Sequence, residues 1–326
     1  MIIINARGTQ RLEKCLKSLK QTSYPNFEAI IVDCLTDNLL MWMREFFPKA
    51  KVIHYNKDIG ASASHNVAKQ VIDVRSKYLA FLDNDAYVTK NWLTELLKVM
   101  EKNEKIGMAQ AKLVLLKDPR LLDHSGMAID VLGAWYTTRD LKTNEFKEVF
   151  EIFAASSAAC IVRRDVFDEA GGFDPDYFIY DDDTDFSFRV RLLGYKIVYV
   201  PSAIVFHEGE TARFLNTKKL YHGTKNRMCT MLKNYELKNV WWRFCLCATL
   251  TLLAGIGLAL GKRIDEAKAI FKGVVYPIVN IRKIWVKRML IQHKRRIRDS
   301  ELFRRGFLRN DIRATLFDLT SKLQYL

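Results

Sequence analysis

The chain has 326 residues, of which 49% are hydrophobic and 27% charged, so it is long enough for one large domain or two medium ones and too apolar to be disordered. Its formal charge of +15 is unevenly spread. Residues 262–326 hold 17 Lys/Arg against 6 Asp/Glu, a net of +11, which leaves +4 for the first 261 residues and points the tail toward an anionic surface, either a membrane leaflet or nucleic acid.

Taken in chain order, the first half alternates between short apolar runs and helical patterns. MIII (1–4) reads as a strand, and 9–21 as a helix with Leu12, Leu16 and Leu19 on one face and Thr9 as its N-cap. Strands follow at 27–33, 50–55 and 78–83, and helices at 39–47, 60–74 and 91–103. Such alternation implies an α/β fold with a mostly parallel sheet and helices on both faces. Ligands of these sheets bind at the carboxyl ends of the strands, where Asp33 and Asp83 fall. Beyond residue 105 the pattern loosens. A helix is expected over 183–194 with Gly194 as its stop, then strands at 196–201 and 202–209, and helices from about 215.

Two acidic clusters stand out. FLDNDAYV (81–88) places Asp83 and Asp85 around a strand end, and hard oxygen ligands of this kind suit Mg²⁺ or Mn²⁺; a turn of self-bonding Asx residues is the plainer alternative. Asp181, Asp182, Asp183 and Asp185 crowd the start of the 183–194 helix. Capping and the helix dipole favour acids there, yet four in five residues exceed that need, and crowded carboxylates raise one another's pKa, as suits a general base. His207, at a strand end after both clusters, is a candidate third metal ligand. The six cysteines form no CxxC pair and read as free thiols of a reducing compartment, without a zinc site. The opening MIIINARG carries no signal-peptide pattern, so the N-terminal part is expected in the cytoplasm.

Four stretches, 5–33, DIGASASHN (58–66), YLAFLDND (78–85) and 171–207, occur in an order that resembles the family-2 inverting glycosyltransferases of GT-A fold, and most closely their rhamnosyltransferase-like subgroup. The resemblance covers about residues 1–230. It implies a metal-dependent transfer from a UDP-, dTDP- or GDP-sugar to a lipid-linked or cell-surface glycan. Asp33 would contact the base or ribose, with Ala6 and Arg7 beside it. Asp58, Gly60, Asn66 and Asn84 would join the donor site. Asp85 would ligate Mn²⁺ or Mg²⁺ directly, Asp83 would lie nearer the ribose, and His207 would complete the metal site. The stretch 182–185 falls on the family's Glu-Asp-x-Asp motif, which makes Asp183 the catalytic base. Asp182 in place of Glu, Asp58 in place of Asn and His65 in place of Arg depart from the pattern. A catalytically silent GT-A-like scaffold of a glycan assembly complex is the alternative.

We therefore expect a GT-A catalytic domain over 1–215 and a helical, basic, membrane-associated region over 216–326. Residues 244–261 form an apolar run of 18, preceded by Trp241 and Trp242 and bounded by Arg243 and by Lys262 and Arg263. A single span would carry the basic tail across the bilayer, so a re-entrant or interfacial arrangement at the cytoplasmic face fits better, and a buried core helix is the plain alternative. The segment 274–298 mixes bulky apolar residues with Lys/Arg, as interfacial helices do. No nucleic-acid-binding fold is recognisable, so nucleic acid is not expected as a partner.

Overall fold

The computed structural model describes residues 1–209 and 216–316. The expected boundary at residue 215 and the last ten residues of the basic region lie outside the described part. The first half alternates as expected, β1 (Ile2–Ala6), α1 (Gln10–Leu19), β2 (Ile30–Cys34), α2 (Leu39–Phe46), β3 (Lys51–Tyr55), α3 (Ala61–Val67), β4 (Tyr78–Asp83) and α4 (Trp92–Lys102), except that α3 gives way to a 3-10 turn at Ala68–Gln70, short of residue 74, and an unanticipated short strand, β5 (Ala86–Val88), follows β4. Thr9 stands at the N-cap of α1 but makes no side-chain capping bond. Its backbone is helical (φ −110°, ψ −15°), whereas a capping hydroxyl needs the extended region to reach the free N–H groups.

Then come β6 (Ile106–Leu115), β7 (Gly126–Ile129), β8 (Trp135–Thr137), β9 (Phe150–Glu151), β10 (Ala159–Arg163), α5 (Arg164–Ala170), α6 (Asp182–Leu192) and β11 (Lys196–His207). The main sheet runs β3-β2-β1-β4-β10-β6-β11-β5. Its first four strands are mutually parallel, and β6 is parallel to β11. Between these blocks β10 is antiparallel to both β4 and β6, so the sheet is mixed rather than wholly parallel. Because β10 reverses direction twice over, β1, β2, β4, β6 and β11 all end at the same edge. The two segments expected at 196–201 and 202–209 form one strand whose register slips between Val200 and Ile204, around Pro201, which has no N–H to offer the ladder.

Period-2 alternation sends neighbouring strand residues to opposite faces. Ile3, Ile31 and Leu82 pack with Leu12, Leu16, Met43 and Trp92 of α1, α2 and α4. Ile2, Val32 and Phe81 pack with Val166, Phe167, Phe186 and Val190 of α5 and α6.

Among the described residues five further helices follow: α7 (Thr217–Asn234), α8 (Leu237–Leu260), α9 (Ile264–Val279), α10 (Ile281–Lys294) and α11 (Asp299–Arg304). A third core joins Phe188 and Leu192 of α6 to Met228 and Met231 of α7, Cys247 of α8, Ile270 and Val274 of α9, and Leu302 and Phe307. Beyond α11 the backbone docks on β7, with the Ile129 N–H donating to the Phe307 carbonyl and Arg309 N–H to the Ile129 carbonyl, both at 2.9 Å.

Helix α8 is not a core helix. It is long and apolar enough to cross a membrane, and only 17% of its most apolar 18-residue window is buried inside the protein. Leu253, Ile256 and Leu260 on α8, and Ile278, Val279, Trp285 and Val286 on α9 and α10, stand exposed. Arg243, expected to mark an interfacial edge, is instead buried, with its guanidinium over the Tyr235, Trp242 and Phe303 rings and bonded to Asn310. All six cysteines are free thiols.

Candidate active site

The common edge of the sheet gathers the first cluster. Asp83 closes β4, Asp85 sits in the turn to β5, and His207 closes β11, which pairs with β5 so that His207 faces Ala86. One ligand atom from each of Asp83, Asp85 and His207 lies within 4.8 Å of the others. His207 Nε2 is 3.1 Å from Asp85 Oδ1, and its Nδ1 is 2.6 Å from Asp123 Oδ2. Asp123 is buried and also meets His124 Nδ1 at 3.1 Å. Sequence reading missed Asp123; its one signal is an acid directly after the apolar pair Leu121-Leu122, eight residues beyond the end of β6. A carboxylate on one nitrogen of an imidazole whose other nitrogen faces two further acids is the arrangement that orients a metal-ligating histidine.

The electrostatics of the cluster fit a cation. Burial, then the Asp85 charge, push the Asp83 carboxyl up to about 7. Burial disfavours charge on His207, but Asp123 and Asp85 outweigh it and raise the imidazole to about 10. Burial would raise the Asp85 carboxyl too, but its hydrogen bond and charge contact with His207 outweigh that and hold it below the ordinary carboxylate range, so negative charge stays in a half-buried pocket of hard oxygen and imidazole donors. The donor set suits Mn²⁺ or Mg²⁺, and a divalent ion would relieve the repulsion.

The second cluster opens α6. Asp182 accepts from Ser62 Oγ at 3.0 Å, and burial raises its carboxyl to about 6. Asp183 is half-buried, and its carboxyl lies well above the usual range through burial, then the charges of Asp182 and Asp181; Asp83 adds to the shift, so both clusters share one field. Asp185 points elsewhere. It is buried and bound by Arg189 Nη2 at 2.9 Å, Lys233 Nζ at 3.0 Å and Asn234 Nδ2 at 2.9 Å, so it anchors α6 to α7.

The loop before α6 is strained: Phe178, Tyr180 and Asp181 have φ of +66°, +67° and +56°, a conformation that is rare for residues with side chains. Asn226 of α7 holds this loop. Its amide nitrogen donates to the carbonyls of Tyr177, Ile179 and Tyr180 at 3.0, 2.9 and 2.7 Å. Gly60 packs from the other side, where a Cβ would come within 2.5 Å of the Phe178 carbonyl oxygen. Neither Asn226 nor Lys233 was anticipated. Polar residues on a helix face that is otherwise buried were the available sign.

The remaining expected residues divide. Ala6 and Arg7 are exposed at the end of β1, with Arg7 at φ +59°. Asn84 donates to Asn5 Oδ1 at 2.6 Å, and Asn5 Nδ2 donates to Asp33 Oδ1 at 2.6 Å. Asp33 is fully buried and also accepts from Thr36 Oγ1 at 2.7 Å and faces His54 Nδ1 at 2.8 Å. Its oxygens are engaged inside the protein, so it braces Asn5 and Thr36 instead of standing open to a base or ribose. Asp58 is exposed and accepts from the Gly60 N–H at 2.9 Å, which shapes the turn into α3. Asn66 is likewise committed: its amide pairs with both backbone groups of Phe173, at 2.7 and 2.9 Å. His65 lies in the core between the Phe81 and Phe173 rings, and burial alone lowers it to about 3.

The chain is similar to known proteins in sequence and in fold. Residues 1–227 match the glycosyltransferase-like family 2. An uncharacterised protein of Sinorhizobium fredii is 28% identical over 60% of this chain and 22% of its own length. An O-antigen biosynthesis protein of Myxococcus xanthus is 24% identical over 60% of this chain and 16% of its own length, so the matched part is a fraction of both relatives. The N-acetylglucosaminyl-diphospho-decaprenol L-rhamnosyltransferase of Mycobacterium tuberculosis is 35% identical over 29% of this chain and 30% of its own. Among solved structures, the mannosyltransferase PcManGT of Pyrobaculum calidifontis, in complex with GDP-Man and Mn²⁺, superposes with TM-score 0.52 at 13% identity over 85% of this chain and 86% of that one. GalNAc-T7 with UDP, GalNAc and Mn²⁺ gives TM-score 0.53 at 18% identity over 64% and 43%. With residues 1–227 matched by the family model and the GT-A fold shared, the chain belongs to the glycosyltransferase-like family 2.

Proposed function

We propose that the protein transfers a sugar, with inversion, from a nucleotide-sugar to a hydroxyl of a lipid-linked or cell-surface glycan at the cytoplasmic face of a membrane. The observation that supports this reading is the shared field of the two clusters: the Asp83 charge, in the group Asp83, Asp85 and His207, is among the causes that raise the Asp183 carboxyl. Asp183 accepts the proton of the attacking hydroxyl, an effect of roughly 10²–10⁴-fold. Its raised pKa keeps it basic enough to do so. Asp83, Asp85 and His207 would hold Mn²⁺ or Mg²⁺, which supplies charge neutralisation for a departing nucleoside diphosphate. Ala6 and Arg7, at the exposed end of β1, border the nucleotide, and Asn84, Asn5 and Asp33 keep that border in place. Asp58 and Gly60 shape the adjoining turn, and Asn66 holds its far side. Displacement is direct, so no covalent intermediate is needed.

The names of two relatives, an O-antigen biosynthesis protein and a transferase acting on a diphospho-decaprenol, support a cell-envelope glycan acceptor, and the latter favours a deoxyhexose as the sugar. The exposed apolar face of α8, α9 and α10, set among basic residues, supports the membrane surface as the place of action.

The test is nucleoside diphosphate release from UDP-, dTDP- and GDP-sugars in detergent, with Mn²⁺ or Mg²⁺ and with EDTA. Release from one donor that EDTA abolishes is expected. Asp183→Asn should bind that donor as wild type while losing turnover at least a hundredfold. An active Asp183→Asn enzyme removes Asp183 from the base role. Neither release nor donor-induced thermal stabilisation with any donor would favour a silent scaffold.

A further inference from the structure

An open groove of about 1030 Å³ runs between α7 and α9, away from Asp83 and Asp85. Lys218 and His222 line it from α7, and Lys268, Lys272, Val275 and Val279 from α9. Among the described residues the three lysines face a single carboxylate, Asp265, which lies 3.6 Å from Lys268 Nζ, so this described lining carries two net positive charges. All three lysine side chains are exposed.

The two ends of the groove differ. One end adjoins the catalytic motif. The His222 ring stacks on Phe178 with centroids 5.4 Å apart, and Lys218 Nζ lies 5.1 Å from the same ring. Phe178 accepts from the Ser62 N–H at 3.4 Å, and Ser62 Oγ donates to Asp182. At the other end Val275 and Val279 are 50% and 74% exposed, and the apolar surface continues through Ile278 and Ile281.

A ligand that fits has an anionic centre, a hydroxyl-bearing part toward Asp183 and an apolar tail. We propose that this groove binds the diphosphate and first isoprene units of a polyprenyl-diphosphate-linked acceptor. Lys218, Lys268 and Lys272 pair with the diphosphate, and Val275 and Val279 carry the chain toward the bilayer. The inference rests on the reading of the protein as a transferase with a lipid-linked acceptor, and it names the groove that takes that lipid. Charge complementarity and continuity with both the catalytic loop and the exposed apolar face decide for a lipid diphosphate over a free glycan.

The test is calorimetric binding of farnesyl diphosphate to the full chain in mild detergent, with EDTA present so that the acidic cluster holds no cation to draw the diphosphate. Farnesol and inorganic pyrophosphate are the comparison probes. Wild type should bind farnesyl diphosphate more tightly than either probe. Lys218→Gln/Lys272→Gln should weaken that binding roughly tenfold or more, since charge-assisted contacts to phosphate are lost. Both side chains are exposed, so the fold is spared, and matching thermal unfolding verifies this. Val279→Glu provides a second variant and should weaken farnesyl diphosphate while leaving pyrophosphate unchanged. Equal affinity in wild type and the double variant overturns the inference, as does equal affinity for farnesyl diphosphate and pyrophosphate. Metal-dependent donor turnover, measured on wild type in parallel, separates the two readings: its absence sinks the transferase reading whatever the groove binds, and its presence with a failed binding test sinks only the groove.

Discussion

Replacing Asp123 by Asn tests whether a carboxylate outside the acidic motifs sets the metal site. Asp123 is 1% exposed, its Oδ2 lies 2.6 Å from His207 Nδ1, and its Oδ1 lies 3.1 Å from His124. His207 Nε2 in turn sits 3.1 Å from Asp85, within the cluster that spans 4.8 Å. The Asn side chain keeps the shape but loses the charge that makes the imidazole a stronger donor, and its amide competes for the wrong tautomer. Losing such a partner weakens metal binding by about 10–100-fold, which is about 1.4–2.7 kcal/mol. Titration of Mn²⁺ into the protein by calorimetry reads the effect directly. Turnover should recover most of its wild-type value at saturating Mn²⁺, because Asp183 is untouched. An Mn²⁺ affinity within twofold of wild type refutes the orienting role. So does a rate that stays low at saturating metal with unchanged affinity, which would place Asp123 in the chemistry itself.

The remaining expectations concern the base and its loop. Since Asp183 must be ionised to accept a proton and its carboxyl is raised by burial, then by Asp182 and Asp181, activity should be full at high pH and fall as pH drops through a midpoint above the ordinary carboxylate range. Asp182→Asn removes the largest of the charge contributions and should move that midpoint down; a pH–rate profile that stays put contradicts the assignment. Gly60→Ala puts a Cβ 2.5 Å from the Phe178 carbonyl at a φ of +81°, a strain of about 1–3 kcal/mol before any clash, visible as a lower unfolding temperature. Asn226→Ala strips the donor from three carbonyls in a strained loop and should cost about 2–4 kcal/mol in denaturant unfolding, with turnover falling more than donor affinity. A loss under about 1 kcal/mol would show that the loop holds its own shape.

Sequence alone determined what repeats locally. Apolar residues at period 2 and at helical spacing delimited most elements from β1 to α4 to within a few residues, because the same periodicity decides which face is buried; α3, which stops at Val67, and the three-residue β5 are the exceptions. Acids directly after an apolar run marked Asp83, and crowded acids at a helix start marked Asp183, because each is costly to place without a partner. Tertiary structure decided which partners those groups find. Asp123 meets His207 across 84 residues, and Lys233 meets Asp174 across 59, pairings that no local pattern encodes. Antiparallel β10 in the sheet centre likewise follows from strand order rather than from its own apolar run, which reads the same in either direction. Burial likewise engages polar atoms of Asp33 and Asn66 inside the fold, with Asn5 and with the Phe173 backbone, which no local pattern indicates. For α8 the composition was compatible with a core helix or a membrane-facing one; packing against α7 and α9 covers one narrow side and leaves the rest exposed, so it is not a core helix.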